Sequence, residues 1–363
     1  MLETPYVLIN QQKMQQNITQ MAEAVKSQGI QLRPHVKTHK VPDFAKLQLE
    51  AGAIGITVAK VSEAEVMASH GIKDIFVAYP IVVPSKIKRV IELAKTIRII
   101  VGVDSFEGAE RLSAAALASD IKLEVRLEIE TGLCRTGVTQ ANALELALQI
   151  GGLANLRLTG IFTYRGAMLQ GLPTLDLRAA GLEEGLLMST VAEELRANGV
   201  EITDVSVGST PTGIFAAEVQ GVTEVRPGTY IFYDRMQAQL AVATLEQCAA
   251  VVVVTIVSMP AEDRLIIDGG SKTFATDVQP NSKPLNLVGF GHILNDPSAV
   301  LQRMSEEHGI IRVNKGHSFQ IGDTLEIIPN HICSTVNLHN QVYLLKSDQT
   351  IEIIKVLGRG MLH

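Results

Sequence analysis

Eight short β-rich runs, separated by helical patterns, fill the first two-thirds of the chain and restrict the folds open to it. The runs are residues 31–37, 55–60, 74–81, 97–104, 122–131, 156–166, 202–209 and 222–232. Between most of them apolar residues recur at helical spacing, over 61–70, 85–95, 106–118, 141–150 and 175–198. Strands that alternate with helices pair in parallel, because each crossover returns the chain to the same end of the sheet. A closed (β/α)8 barrel of the TIM type and an open doubly wound sheet both satisfy this. No glycine-rich dinucleotide fingerprint follows the first strand, so the α/β barrel is the expected fold.

After about Gln239 the texture changes. Residues 248–259, 264–268, 309–313, 324–328, 341–345 and 350–356 read as strands, and only 295–304 suggests a helix. A chain of 363 residues accommodates a barrel and an appended domain. The expected division is an N-terminal barrel over 10–239 and a C-terminal β domain over 240–363. Residues 1–9 are expected to join the β domain through a strand at 6–9.

Composition narrows the partners. A formal charge of −6 with no basic run argues against nucleic acid. Cys134, Cys248 and Cys333 are odd in number and far apart, which fits a reducing compartment better than a disulfide framework. The start, MLETPYVLIN, lacks the regions of a signal peptide. The longest apolar run, 249–256, is too short to span a membrane. The expectation is a soluble, cytoplasmic protein.

The first strand carries the first chemical signal. Arg33-Pro34-His35-Val36-Lys37-Thr38-His39-Lys40 ends a strand in ionisable residues. Strand alternation puts Arg33, His35 and Lys37 on one face, and a barrel strand can turn a polar face only to the lumen. Lys37 then lies at the C-terminal mouth, where barrel active sites sit, and Lys40 opens the next helix. A lysine among polar groups there is a candidate Schiff-base nucleophile; a lysine in a luminal ion network fits the same pattern. Glu124, Arg126, Glu128 and Glu130 repeat the alternation, and the following Gly132–Gly137 turn lets Arg135 reach over the mouth. The segment Val207-Gly208-Ser209-Thr210-Pro211-Thr212-Gly213 follows the seventh strand, and Arg226-Pro227-Gly228-Thr229-Tyr230 lies at the eighth. Barrels commonly build phosphate sites from these two loops. In the β domain, His331 and Cys333 share a face if they stand on a strand. They then form a thiolate–imidazole pair suited to zinc, or a buried cysteine beside an ordinary histidine.

Taken in order, RPHVKTHK, EIETGLCRTG, TYRGAM, VGSTPT, EVRPGTYIFYD, DGGSKTF and PNHICSTVNLHN resemble the D-serine dehydratase and D-threonine aldolase family. That family belongs to the alanine-racemase-like, fold-type III pyridoxal-phosphate enzymes. The resemblance spans nearly the whole chain. It implies an N-terminal barrel, a C-terminal β domain and a homodimer. It implies that Lys37 bonds covalently to pyridoxal 5'-phosphate, that Arg135 lies near the cofactor's phenolic oxygen and that Tyr164 lies beside its ring. Gly208, Ser209, Thr210 and Tyr230 match phosphate-binding positions, with Gly228 in the same motif. Arg226 occupies the place where racemases put an arginine facing the pyridine nitrogen. His331 and Cys333 match a metal pair, with zinc the expected divalent ion.

The activity implied is a metal-assisted lyase acting on D-β-hydroxy amino acids. Dehydratases of this family use cysteine at the second metal position, as Cys333 here, whereas aldolases tend to use aspartate there. Aldolases also tend to carry a histidine soon after Tyr-x-Gly, and here Tyr164-Arg165-Gly166 is followed by Ala167, Met168, Leu169 and Gln170. A dehydratase converting D-serine to pyruvate and ammonia is therefore expected, with Lys37 as proton acceptor and His35 as a second catalytic candidate. The alternatives are an aldolase, a racemase and a cofactor carrier. Carriers of this barrel type lack the second domain.

Overall fold

Eight strands hydrogen-bond in parallel, in the order Gln31–Leu32, Glu224–Val225, Asp204–Val207, Leu156–Phe162, Leu123–Glu128, Arg98–Val103, Asp74–Pro80 and Ile56–Val58. The ends of this sheet meet. Thr57 N donates to the Pro34 carbonyl at 2.8 Å and Ile54 N to the Leu32 carbonyl at 2.9 Å, so the sheet closes into a barrel. Helices Pro42–Glu50, Val61–Ser69, Pro84–Ala94, Phe106–Ala118, Gln140–Gly151 and Leu177–Ala197 return the chain between strands. Prolines at the starts of Pro42–Glu50 and Pro84–Ala94 occupy first-turn positions that need no backbone donor. The Asp176 carboxylate caps the last of these helices, accepting from Ala179 N at 3.0 Å. Strand Arg98–Val103 is buried from its second residue onward, as expected when helices cover one face and the lumen the other. This α/β barrel is the expected fold.

Ionic and aromatic side chains fill the lumen. Arg33 Nε donates to Glu224 Oε2 at 2.7 Å, and Arg126 Nη1 donates to Glu224 Oε1 at 2.6 Å. Two strands separate those of Arg126 and Glu224 in the sheet, so this pairing crosses the interior. Asp74 pairs with Arg33, and Asp204 lies 3.0 Å from Arg126. Beside the network, Phe76 and Phe162 pack edge-on with centroids 4.9 Å apart, and the Arg126 guanidinium stands 4.9 Å from the Phe76 ring centre. Burial alone would raise the Glu224 carboxyl. Arg126 and Arg33, with hydrogen bonds from Arg126 and Ser206, instead hold it well below the ordinary carboxylate range.

The computed structural model describes residues 2–363, in two units. The barrel unit comprises Gln20–Lys37, Pro42–Gly228 and Gly360–His363, and the second unit comprises residues up to Thr19, Thr38–Val41 and Thr229–Arg359. The second unit is built on a nine-stranded sheet. Its longest strand, Ala250–Ala261, pairs antiparallel with Tyr6–Asn10, Arg264–Ile267 and Thr324–Pro329. Tyr6–Asn10 also pairs in parallel with Gln341–Leu345, so the start of the chain is an interior strand of this sheet.

Several expected elements differ in extent. Only Gln31–Leu32 of the first run is strand; the chain stays extended to His35 and then turns through a 3₁₀ segment at Val36–Thr38. Pro34 supplies no backbone donor, which cuts the ladder short. The eighth run is strand only at Glu224–Val225, since Pro227 ends it before the 3₁₀ turn Thr229–Ile231. Residues 295–304 form no helix; Val300–Met304 is a strand paired with Gly309–Arg312. Lys40 does not open a helix. It is left-handed at φ 56°, its carbonyl accepts from Gly358 N at 2.9 Å, and the helix begins at Pro42.

Candidate active site

The turn at the end of the first strand presents Lys37. Its backbone N–H donates to His35 Nδ1 at 3.3 Å, so His35 folds back onto the turn that carries the lysine. Strand alternation therefore accounts for Arg33 in the lumen, whereas Lys37 owes its placement to a 3₁₀ turn. Lys37 Nζ stands 5.1 Å from the Tyr164 ring centre, and the Arg135 guanidinium stands 5.4 Å from the same ring. These three residues come from the first strand end, the loop after Leu123–Glu128 and the loop after Leu156–Phe162, and the barrel brings them together. The Arg135 loop is shaped by Glu130, whose Oε1 accepts from Gly132 N at 2.6 Å and Cys134 N at 2.9 Å. A hydrogen bond of 2.8 Å between the Thr131 and Thr163 hydroxyls ties that loop to the residue before Tyr164.

The segment after the seventh strand forms a tight loop into the short helix Gly213–Ala216. Gly208 is left-handed at φ +82°, and a Cβ there would meet Gly213 Cα at 2.7 Å, so only glycine permits this approach. Ser209 and Thr210 are buried within it. The Ser209 and Thr212 hydroxyls lie 2.8 Å apart, and behind them Glu184, on helix Leu177–Ala197, accepts from Gly208 N at 3.2 Å and Thr212 Oγ1 at 3.3 Å. Burial pushes the Glu184 carboxyl up to about 7, against the pull of the Gly208 N–H, Arg226, Arg165 and Thr212. Arg226 is also buried; its terminal nitrogens donate to Ser206 Oγ and the Thr163 carbonyl. Burial lowers it to about 10. Gly228 ends the barrel unit, and Tyr230, fully buried, lies on the 3₁₀ turn of the second unit.

In the second unit, His331 and Cys333 are not two residues of one strand. Strand Thr324–Pro329 ends first; His331 is extended at φ −137° and Cys333 lies in the first turn of helix Ile332–Val336. The strand-to-helix turn nevertheless brings the two side chains into a mutual hydrogen bond. Burial opposes charge on both. Each is the other's main support, so the histidine is held well above its ordinary value and the thiol below its own. The Thr38 and Thr229 hydroxyls lie 3.2 Å and 3.4 Å from Cys333 Sγ. His331 Nδ1 bonds Asp277 Oδ2 at 2.5 Å, and Ser334 Oγ donates to the same oxygen at 3.0 Å. Asp234, fully buried, accepts from Ile332 N at 3.0 Å and fixes the backbone between the pair. Among the described residues no group of three or more His, Cys, Asp or Glu is placed to share a metal ion.

Asp277, Asp234 and Glu184 escaped the sequence reading. Asp277 lies far from His331 in sequence, with no motif around it. Glu184 sits mid-helix among ordinary helix formers. Asp234 stood inside a recognised motif, EVRPGTYIFYD, and an acidic residue closing an apolar run was the available signal.

Residues 9–236 match the family described as "Alanine racemase, N-terminal domain", and residues 249–345 match "Putative serine dehydratase domain". The chain is 33% identical to a D-threo-3-hydroxyaspartate dehydratase of Delftia sp. (strain HT23), over 92% of each chain. It is 28% identical to a D-threonine aldolase of Arthrobacter sp, covering 99% of this chain and 93% of that one. It is 29% identical to a D-serine dehydratase of Dictyostelium discoideum, covering 96% and 95%. The solved structure of the Delftia enzyme superposes with a TM-score of 0.91 at 31% identity, covering 98% of this chain and 97% of that one. Two solved D-threo-3-hydroxyaspartate dehydratase variants, each 31% identical to this chain, replace a histidine and a cysteine two positions apart with alanine, the cysteine variant in a metal-free form. The chain belongs to the D-serine dehydratase and D-threonine aldolase family of alanine-racemase-like, fold-type III pyridoxal-phosphate enzymes.

Proposed function

We propose that this protein is a pyridoxal-phosphate-dependent, zinc-assisted lyase that dehydrates a D-β-hydroxy amino acid, with D-serine the expected substrate and pyruvate and ammonia the products. In this reading it works as a cytoplasmic homodimer. The observation that carries the reading is the His331–Cys333 pair, a soft thiolate–imidazole donor set with the same spacing as the two positions varied in the D-threo-3-hydroxyaspartate dehydratase structures. The residues suit the cofactor as well. A lysine stands over an aromatic ring at a barrel mouth, and a loop that only glycine can form offers buried hydroxyls.

When bound, pyridoxal phosphate supplies an electron sink for charge developing at the substrate's Cα. Lys37 Nζ would bind it and remove the Cα proton. Arg135 and the Lys37 ammonium group both stand against the Tyr164 ring. Gly208, Ser209, Thr210 and Tyr230 would hold the phosphate, with Gly228 in the same motif. Arg226 would face the cofactor ring from among Ser206, Thr163 and Phe162. His331 and Cys333 would hold zinc, a Lewis acid that assists departure of the β-hydroxyl. Asp277 holds His331 Nδ1, leaving Nε2 as the nitrogen for the metal.

The test incubates the holoenzyme with D-serine, D-threonine and D-threo-3-hydroxyaspartate separately, assaying 2-oxo acids, glycine and aldehydes, with and without chelator. An oxo acid from D-serine, lost on chelation and in Lys37→Ala, is expected. Acetaldehyde and glycine from D-threonine, without oxo acid from D-serine, would overturn the dehydratase reading.

A further inference from the structure

A buried acid stands directly behind the loop assigned above to the phosphate. Glu184 is completely buried and touches that loop twice, through Gly208 N and Thr212 Oγ1. Thr212 in turn bonds Ser209. Each hydroxyl owns one proton, so the chain Glu184–Thr212–Ser209 has a direction. A Glu184 carboxylate can only accept; Thr212 must donate to it, and Ser209 must donate to Thr212. The Ser209 proton then points inward, and only lone pairs face an incoming ligand. A protonated Glu184 reverses the chain. It donates to Thr212, Thr212 donates to Ser209, and the Ser209 O–H is free to donate outward. A phosphate dianion has only acceptor oxygens and requires the second arrangement.

We propose that Glu184 is a positioning residue that takes up one solvent proton when the cofactor's phosphate binds, turning the Ser209 hydroxyl from acceptor to donor. The proposal rests on the reading of Gly208–Thr210 as the phosphate loop. Proton balance is simple: one H⁺ from solvent converts the Glu184 carboxylate to the acid, and no covalent bond at the phosphate changes. The charges facing Glu184 agree with this. Arg226 faces it from the end of the eighth strand, and Arg165 from the segment after Leu156–Phe162. Arg165 is fully buried, and among the described residues its Nε and Nη1 have no partner, while Nη2 donates to Glu183 at 3.2 Å. Arg226 faces Glu224 and Glu128 as well. Once Glu184 is neutral, part of this positive charge is left to offset the phosphate. The Glu184 carboxyl, raised by burial to about 7, is within reach of such a change at ordinary pH.

The test is calorimetric titration of the cofactor-stripped protein with pyridoxal 5'-phosphate, with pyridoxal as control, in buffers of different ionisation enthalpy. Above pH 7 the ligand phosphate is already a dianion, since its second pKa is about 6. Wild type is expected to take up about one proton more than Glu184→Gln at pH 8, and its Kd to rise toward about tenfold per pH unit above pH 7. Glu184→Gln donates to Thr212 permanently and accepts from Gly208, so its Kd should stay flat over that range. Equal proton uptake and parallel Kd profiles in the two proteins overturn the proposal. Ser209→Ala provides a second arm should Glu184→Gln fail to fold. It needs no reversal and should lose the extra proton, so unchanged uptake also overturns the proposal. Failure of the underlying loop assignment reads differently. Pyridoxal and pyridoxal phosphate would then bind alike, and Ser209→Ala would leave both unaffected.

Discussion

Replacing Asp277 by asparagine isolates the charge behind His331. Asp277 Oδ2 accepts from His331 Nδ1 at 2.5 Å and from Ser334 Oγ at 3.0 Å. A hydrogen bond to a charged acceptor is worth about 1.5–3 kcal/mol. The Asp277 side chain is 46% exposed, so solvent screening places this one toward the lower end. Asparagine keeps the shape and one accepting oxygen, so the expected loss is about 1–2 kcal/mol, or roughly 5- to 30-fold in zinc affinity. Asp277→Ala also frees the imidazole to rotate and should lose more, toward about 100-fold. The assay is equilibrium competition for zinc between purified protein and a chromophoric chelator at fixed pH. The two proposed ligands set the upper bound: His331→Ala and Cys333→Ala should abolish measurable retention. An affinity within about twofold of wild type in Asp277→Ala would refute the claim that this carboxylate orients the histidine. A loss in Asp277→Asn equal to that of His331→Ala would refute it too, by making Asp277 a ligand.

Other expectations follow from the barrel. Glu224→Gln keeps one accepting oxygen but leaves Arg33 and Arg126 buried without their shared negative charge, which should cost about 3–5 kcal/mol and lower the barrel's unfolding midpoint by roughly 10 °C in a thermal melt. Because the folded-state pKa of Glu224 is depressed, its contribution is complete above the unfolded value of about 4.5 and declines as pH falls below it. A variant whose deficit persists undiminished to pH 2 would contradict this. Gly208→Ala combines a left-handed φ with a 2.7 Å approach to Gly213, and should weaken pyridoxal-phosphate binding by at least about tenfold in a fluorescence titration. An unchanged Kd would show that the loop's backbone geometry is not needed.

The barrel was legible because its signals are periodic: apolar strands between amphipathic helices, with ionisable residues confined to one strand face. Arg33 and Arg126 obey that alternation and meet at Glu224 across the lumen. Periodicity fails where regular structure stops, and there the chemistry lies. Lys37 was located by extending a strand's parity past Pro34, and its actual support is a 3₁₀ turn pinned by His35. His331 and Cys333 were paired by the same two-residue rule. They meet because a helix begins between them, with Asp234 holding the intervening amide.

Both errors have one physical source. A side chain on a regular strand inherits its direction from its neighbours, so its partners are fixed by the sheet as a whole. A side chain on a turn takes its direction from whatever polar group satisfies the turn's free backbone donors. At Lys37 that group is the His35 ring; at Arg135 it is the Glu130 carboxylate; at Gly208 it is Glu184; at Ile332 it is Asp234. Sequence shows these groups as ordinary polar residues, because the amides they satisfy are distinguished only by being left out of a ladder. The residues most able to tune binding at these turns are therefore those that hold them. Substituting them should alter affinity for cofactor or metal before it alters the fold, since each anchors a loop and none lies within a barrel strand.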